Sequence, residues 1–193
     1  MKLTDKTNAE EIRIYQSLWK NALLVAGCLA FSVIGCTIIR DNYCDLATKI
    51  IGGWLNIIFF GGCGLVLTVT ILYNRIRHIP FLIIYEDRLE LYEQRKRSYY
   101  SISFANVRKF RLVSLYSSKM ISVDYKTIPL IHKVEESSDF KQRLMIFNFK
   151  NTGAVENILV ANLTKKGKEI CDLLNWRLKK YRMHKELYGQ VLE

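Results

Sequence analysis

The chain has 193 residues, half of them hydrophobic, with 29 Lys and Arg against 18 Asp and Glu and a mean hydropathy of +0.04. That length holds one ordinary domain plus a small attachment, and a net charge of +11 favours anionic partners: lipid headgroups, nucleic acid or acidic proteins. Five scattered cysteines (Cys28, Cys36, Cys44, Cys63 and Cys171) contain no CxxC pair, which excludes a disulfide framework and a zinc site.

Residues 1–20 form a polar preamble with Lys2, Lys6, Arg13 and Lys20 among Asp5, Glu10 and Glu11. Asn21 to Ile39 is then a 19-residue run without charge, and Ile50 to Tyr73 is a 24-residue one. At about 1.5 Å per helical residue these reach roughly 28 and 36 Å, enough to cross a hydrocarbon core of about 30 Å. The sequence therefore predicts a transmembrane hairpin over 21–73, with spans 21–39 and 50–73 and an external loop 40–49. The loop holds two basic and two acidic residues, whereas Arg75, Arg77 and Arg88 follow the second span. That bias puts both termini in the cytoplasm. Trp19 and Trp54 sit near span ends, at the depth amphipathic rings prefer.

Val25-Ala26-Gly27-Cys28 and Val33-Ile34-Gly35-Cys36 resemble lipoprotein processing boxes. The first has too short an apolar segment before it, the second lies inside the run, and the acidic preamble is a poor n-region. The first span is expected to be retained. Ala22, Ala26 and Ala30 recur at four-residue spacing, and Gly53, Gly61 and Gly64 share a face of the second span. Small residues let helices approach closely, so these faces are expected to pack within the hairpin, with homodimerisation as the alternative. Asn56 is expected to hydrogen-bond the neighbouring helix.

Residues 74–193 carry 23 cations and 13 acids and form the predicted basic cytoplasmic domain. Phe81–Tyr85 and Arg88–Tyr92 flank the two-residue turn Glu86-Asp87 and read as a hairpin. Further strands are predicted at Tyr99–Ser103, Arg108–Tyr116, Met120–Tyr125, Arg143–Lys150 and Val155–Val160. Leu89 and Leu91 alternate with Arg88, Glu90 and Tyr92, and Phe110 and Leu112 with Lys109 and Arg111, the period of a half-buried sheet. Lys126–Gln142 reads as a polar loop, and Asn151-Thr152-Gly153 as a turn. After Asn162-Leu163-Thr164 a helix runs to about Tyr188, with Ile170, Leu173, Leu174, Tyr181 and Tyr188 on one face.

The span pair, the Arg75-Ile76-Arg77-His78-Ile79-Pro80 exit, the strand Phe81-Leu82-Ile83-Ile84 and the segment Ser103-Phe104-Ala105-Asn106-Val107 resemble a family of small, largely uncharacterised bacterial membrane proteins. The likeness runs over roughly residues 12–175. It implies an α+β membrane protein of the bacterial inner membrane: a transmembrane α-helical hairpin followed by a PH-like antiparallel β-barrel of about seven strands, capped by the C-terminal amphipathic helix. PH domains in general imply phosphoinositide binding through a basic first hairpin loop. The acidic Glu86-Asp87 turn departs from that pattern, so that site is not carried over.

Two basic clusters are candidate anion or lipid contacts. Arg95, Lys96 and Arg97 precede Tyr99 and Tyr100 in a loop close to the bilayer, where each cation is attracted to anionic lipid. Lys165, Lys166 and Lys168 occupy the expected first turn of the last helix, against the helix dipole and beside free N–H groups that suit an anion. Trp176, Met183 and Leu187 lie on the far side of that helix and are candidates for a protein partner. Glu135, Glu136 and Asp139 read as a solvated loop. His78, His132 and His184 are far apart, and there is no HExxH, GxSxG, GxxxxGK or GxGxxG. The expectation is a non-enzymatic adaptor without metal or cofactor, with no nucleic-acid role and no transport path. It faces anionic lipid or, as the alternative, serves as an accessory subunit that holds a protein partner.

Overall fold

The computed structural model describes residues 11–116 and 118–189, so Lys2, Asp5, Lys6 and Glu10 lie outside the described residues, as does the side chain of Tyr188. The chain divides into two compact units, one made of residues up to Tyr15 with those from Pro80 onward, the other of Gln16–Ile79.

The second unit is a helical hairpin. Helix α1 spans Leu18–Arg40 and helix α2 spans Leu46–Ile76, both long and apolar enough to cross a membrane, and only 6% of the most apolar window of each is buried. Helices at the centre of a soluble protein would be mostly covered, so their exposed Leu, Ile, Val and Phe side chains need another apolar environment. They pack through small residues. A Cβ on Gly53 would stand 2.5 Å from Ile39 Cγ1, one on Gly35 2.9 Å from the Gly53 carbonyl oxygen, and one on Gly64 3.1 Å from Cys28 Cβ. Phe31 and Phe60 stack with centroids 4.6 Å apart. The glycine face of α2 is thus used as expected. On α1, however, the seam runs through Cys28, Ser32, Gly35 and Ile39, and Ala22, Ala26 and Ala30 face outward. Asn56 lies in the seam beside Gly35, yet its Oδ1 is buried and accepts no hydrogen bond, contrary to expectation. Two π-helical stretches, Lys49–Trp54 and Ile57–Gly61, widen α2 where its glycines concentrate.

The first unit contains two antiparallel sheets rather than one closed barrel. Strands β1 (Ile12–Ile14), β2 (Leu82–Ile84), β3 (Arg88–Glu93) and β4 (Ser98–Ser103) form one sheet in that order. Strands β5 (Val107–Leu115), β6 (Ser118–Tyr125) and β7 (Glu156–Leu159) form the other. The Glu86-Asp87 hairpin is as expected, with Ile84 opposite Leu89 and the Tyr85 N–H donating to the Arg88 carbonyl at 2.9 Å. Strand β1 was not expected. It lies before the first long helix and pairs with the first strand after the second, Ile14 opposite Leu82.

Between β6 and β7 stand helices α3 (Thr127–Glu135) and α4 (Asp139–Thr152), where a polar loop and a strand over Arg143–Lys150 were predicted. Two sequence features explain the difference. Pro129 falls in the first turn of α3, where a missing N–H is harmless. Gly153 takes the left-handed φ of +71° that ends a helix, and its N–H donates to the Phe149 carbonyl at 2.8 Å.

Helix α5 (Gly167–Gly189) packs on both sheets. Ile170, Leu174 and Leu178 join Leu82, Ile84, Leu89, Phe104, Phe110, Ile121 and Ile158 in one core. Leu112 shares the side of Phe110 but lies at the rim, 38% exposed against 1%. Asn175 fixes the helix to β5 by accepting from the Phe110 N–H at 3.1 Å and donating to its carbonyl at 2.9 Å. A Cβ on Gly167 would stand 2.7 Å from Val160 Cγ2, so the helix must begin on a residue without a side chain.

Ile14 is 1% exposed and is the main apolar contribution of β1. Ile14→Ala should cost roughly 2–4 kcal/mol and raise amide exchange through Leu82–Ile84, measured on the full chain. Unchanged protection there would mean that β1 is dispensable.

Candidate functional site

The register of the first sheet sorts its two ends by charge. Ile14 pairs with Leu82, Leu82 with Leu91, and Glu93 with Ser98. The end of β1, the start of β2 and the β3–β4 turn therefore lie at one end of the sheet. That is the end where the chain passes into and out of the apolar helices, and the turn carries Arg95, Lys96 and Arg97, all exposed. Lys96 pairs with Glu93 at 2.9 Å, and Arg97 holds a left-handed φ of +51°. Tyr99 ties this turn to the chain entry, its hydroxyl donating to the Pro80 carbonyl at 2.8 Å. Burial pushes the Tyr99 phenol up to about 12, so it stays a donor at neutral pH.

The second basic cluster reaches the same end by another route. The Thr164 N–H donates to the carbonyl of Tyr15, the residue after β1, at 3.0 Å. Lys165, Lys166 and Lys168 follow, all exposed. Strands β1 and β4 are the two edges of the sheet, so one cluster follows a contact at the β1 edge and the other lies in the turn that leads into β4. Helix α5 starts at Gly167, later than predicted, because Thr164 is held in the hydrogen bond to Tyr15. Lys165 and Lys166 consequently precede the helix, the Lys166 carbonyl accepting from the Ile170 N–H at 3.1 Å. Only Lys168 opposes the helix dipole, and Glu169 beside it offsets part of that cost.

The acidic turn lies at the opposite end. Glu86 does not stand alone there: Lys180 Nζ is 3.6 Å and Arg177 Nη1 3.9 Å from its Oε1. With Asp87, Tyr181 and His184 these residues line a cleft of about 190 Å³. The Arg177 side chain is 1% exposed, a buried cation that nothing in the helical periodicity marked. Trp176, Met183 and Leu187 are exposed along one stripe of α5, at 54%, 47% and 64%.

A polar cluster missed at the sequence level joins α3 to the second sheet. Lys133 donates to Tyr125 Oη at 2.6 Å and binds Glu156, which also accepts from the Tyr125 hydroxyl. Tyr125 and Lys133 border a cleft of about 390 Å³ with Ser101, Ser103, Asn106 and His132. Burial, and then the Glu156 charge, push the Tyr125 phenol far above its usual range. The neutral hydroxyl is thereby kept as a hydrogen-bond donor to Glu156. Tyr100, the third residue of β4, is raised by the same causes in the same order. The residues needed for this cluster are spread over 57 positions, which is why no motif announced it. Glu135 and Glu136 are exposed at the end of α3, and among the described residues no three His, Cys, Asp or Glu side chains converge as a metal site would need.

No family model, curated protein or solved structure matches this chain.

Tyr125 gives a pH signature. Its phenol stays neutral when folded, whereas the unfolded chain ionises near pH 10. Its contribution to stability is therefore complete below about pH 10 and is lost as the pH rises beyond it. The urea midpoint should fall less steeply above pH 10 in Tyr125→Phe than in the parent chain. Parallel slopes would show that Tyr125 titrates normally.

Proposed function

We propose that this chain is a two-span protein of the bacterial inner membrane, with both termini cytoplasmic and a PH-like binding domain that faces anionic lipid of the inner leaflet. The reading includes membership of the small membrane-protein family that the sequence resembles, and a binding rather than an enzymatic role. Strand order, four plus three strands with a C-terminal helix against both sheets, supports the PH-like part.

One observation carries the lipid-facing part. Two basic clusters about 70 residues apart in sequence share the end of the sheet at which the chain joins its two apolar helices. A domain tethered through that end holds its cations close to headgroups, where each is worth about 1 kcal/mol at low salt and less as salt rises. The acidic turn is at the other end and partly neutralised by Lys180 and Arg177, so it does not oppose the approach.

A second reading rests on a different observation. Trp176, Met183 and Leu187 leave an exposed apolar stripe on α5, as expected of an accessory subunit that holds a protein partner.

Both parts are open to measurement. A membrane-impermeant maleimide should label Cys44 from outside in spheroplasts, and Cys44→Ser should lose the label. Labelling only after permeabilisation would reverse the topology. In proteoliposomes, changing Lys165, Lys166 and Lys168 to Glu should lower the docked fraction tenfold or more at low salt, read as energy transfer to a headgroup-labelled lipid. Transfer that is equal in neutral and anionic vesicles would sink the lipid role. Trp176→Ala with Leu187→Ala should leave the transfer intact and remove cross-links to a protein partner.

A further inference from the structure

Strand β5 brings three cations to one cleft, against the ordinary alternation of a strand. Val107 is opposite Tyr125 and Lys109 opposite Asp124, so Arg108 is the extra residue of a β-bulge. Successive residues of a regular strand point to opposite faces, but here Arg108, Lys109 and Arg111 all border the same cleft, of about 380 Å³. Arg182 of α5 holds the bulged backbone, its guanidinium donating to the Val107 and Arg108 carbonyls at 3.1 and 2.6 Å. Bulges of this kind re-aim side chains beside active sites.

The charge on that wall is only partly answered. Arg111 binds Asp124 through two contacts of 2.6 and 2.8 Å and reaches the Thr152 and Gly153 carbonyls at 3.4 Å, which fixes its guanidinium in place. Arg108 and Lys109 are exposed and enter no ion pair within 4 Å among the described residues. The facing wall is apolar. Leu130 of α3, Phe149 of α4 and Val155 border the cleft, and Phe149 is 56% exposed. Neither helix contributes a buried residue, so this roof stands over the sheet without filling the space beneath it. A cleft of this size, with an apolar wall and a few converging polar groups, is the usual form of a small-molecule site.

We propose that this cleft binds a phosphomonoester with a small apolar body, its phosphate on Arg108 and Lys109 and its body against Leu130 and Phe149. A phosphomonoester carries about 1.5 to 2 negative charges at neutral pH, which matches the two unpaired cations, whereas a carboxylate would answer only one of them. The planar guanidinium of Arg108 also suits two phosphate oxygens at once. All of these residues belong to the sheet-bearing unit, and the site is separate from the lysines and arginines of the lipid-facing reading.

The test uses the full chain in nanodiscs of neutral lipid, with naphthyl phosphate as the probe, equilibrium dialysis as the measurement and empty discs as the blank. Saturable binding is expected, about tenfold tighter than that of inorganic phosphate, which lacks the body, and of naphthol, which lacks the head. Arg108→Gln with Lys109→Gln should weaken the probe about tenfold and leave naphthol unchanged, and Lys109→Gln alone should give a smaller loss in the same direction. Phe149→Ala should bring the probe towards the affinity of inorganic phosphate. Lys179→Gln with Lys185→Gln, two exposed lysines of α5 outside the cleft, makes the same change of net charge and should leave binding unaltered. No saturable binding, equal affinity for the probe and inorganic phosphate, or an equal loss in the two double variants would each overturn the proposal. Displacement of the probe by phosphatidic acid in the discs would assign the ligand to a lipid phosphomonoester, and displacement by soluble esters alone to a free one; either supports the site.

Discussion

The pairing of β1 with β2 is the constraint on which the rest depends. Sixty-seven residues separate Ile14 from Leu82, and a flexible loop of that length would cost about 3 kcal/mol more to close than a two-residue turn. Antiparallel packing of α1 on α2 removes much of that cost. Cys28 meets Gly64 and Gly35 meets Gly53, so α2 carries the chain back alongside α1 towards its start. The helical hairpin is thus an insertion into a β-hairpin, and the close glycine contacts that hold it together also help to define the edge of the sheet.

Once β1 and β2 are paired, the distribution of charge follows. Antiparallel register sends the β3–β4 turn to the end where the chain joins its helices and the β2–β3 turn to the other. The Thr164–Tyr15 hydrogen bond adds the lysines to the first end. Glu86 and Asp87, which alone would argue against anionic ligands, are remote from that end, and Glu86 is answered by Lys180 and Arg177. The acidic turn thus sets a carboxylate 3.9 Å from the buried Arg177 of α5 and 3.6 Å from Lys180.

Much of this was legible from sequence, for identifiable reasons. The two apolar helices announce themselves by run length, and strands β2 to β6 by alternation that places Leu89, Leu91 and Phe110 inside. Strand β1 was hidden because three residues, Ile12-Arg13-Ile14, are too few for a period to stand out and their partner lies across the helical hairpin. Arg143–Lys150, part of helix α4, reads as a strand because it is rich in aromatic and aliphatic residues that suit one. The informative residue was Gly153, which caps a helix instead of turning a hairpin. Basic clusters were visible as clusters, but their common location depended on β1, the one strand that composition could not supply.

The insertion also imposes an order on biosynthesis. Residues 12–14 leave the ribosome before either long helix exists, and at about 5–20 residues per second their partner follows roughly 3–14 seconds later. During that interval the strand is an unpaired edge, the kind of segment that invites wrong partners. Its shortness and the charge of Arg13 at its centre limit that hazard. The sheet can close only when translation has passed the second long helix, so completion of the domain reports that both helices have been made.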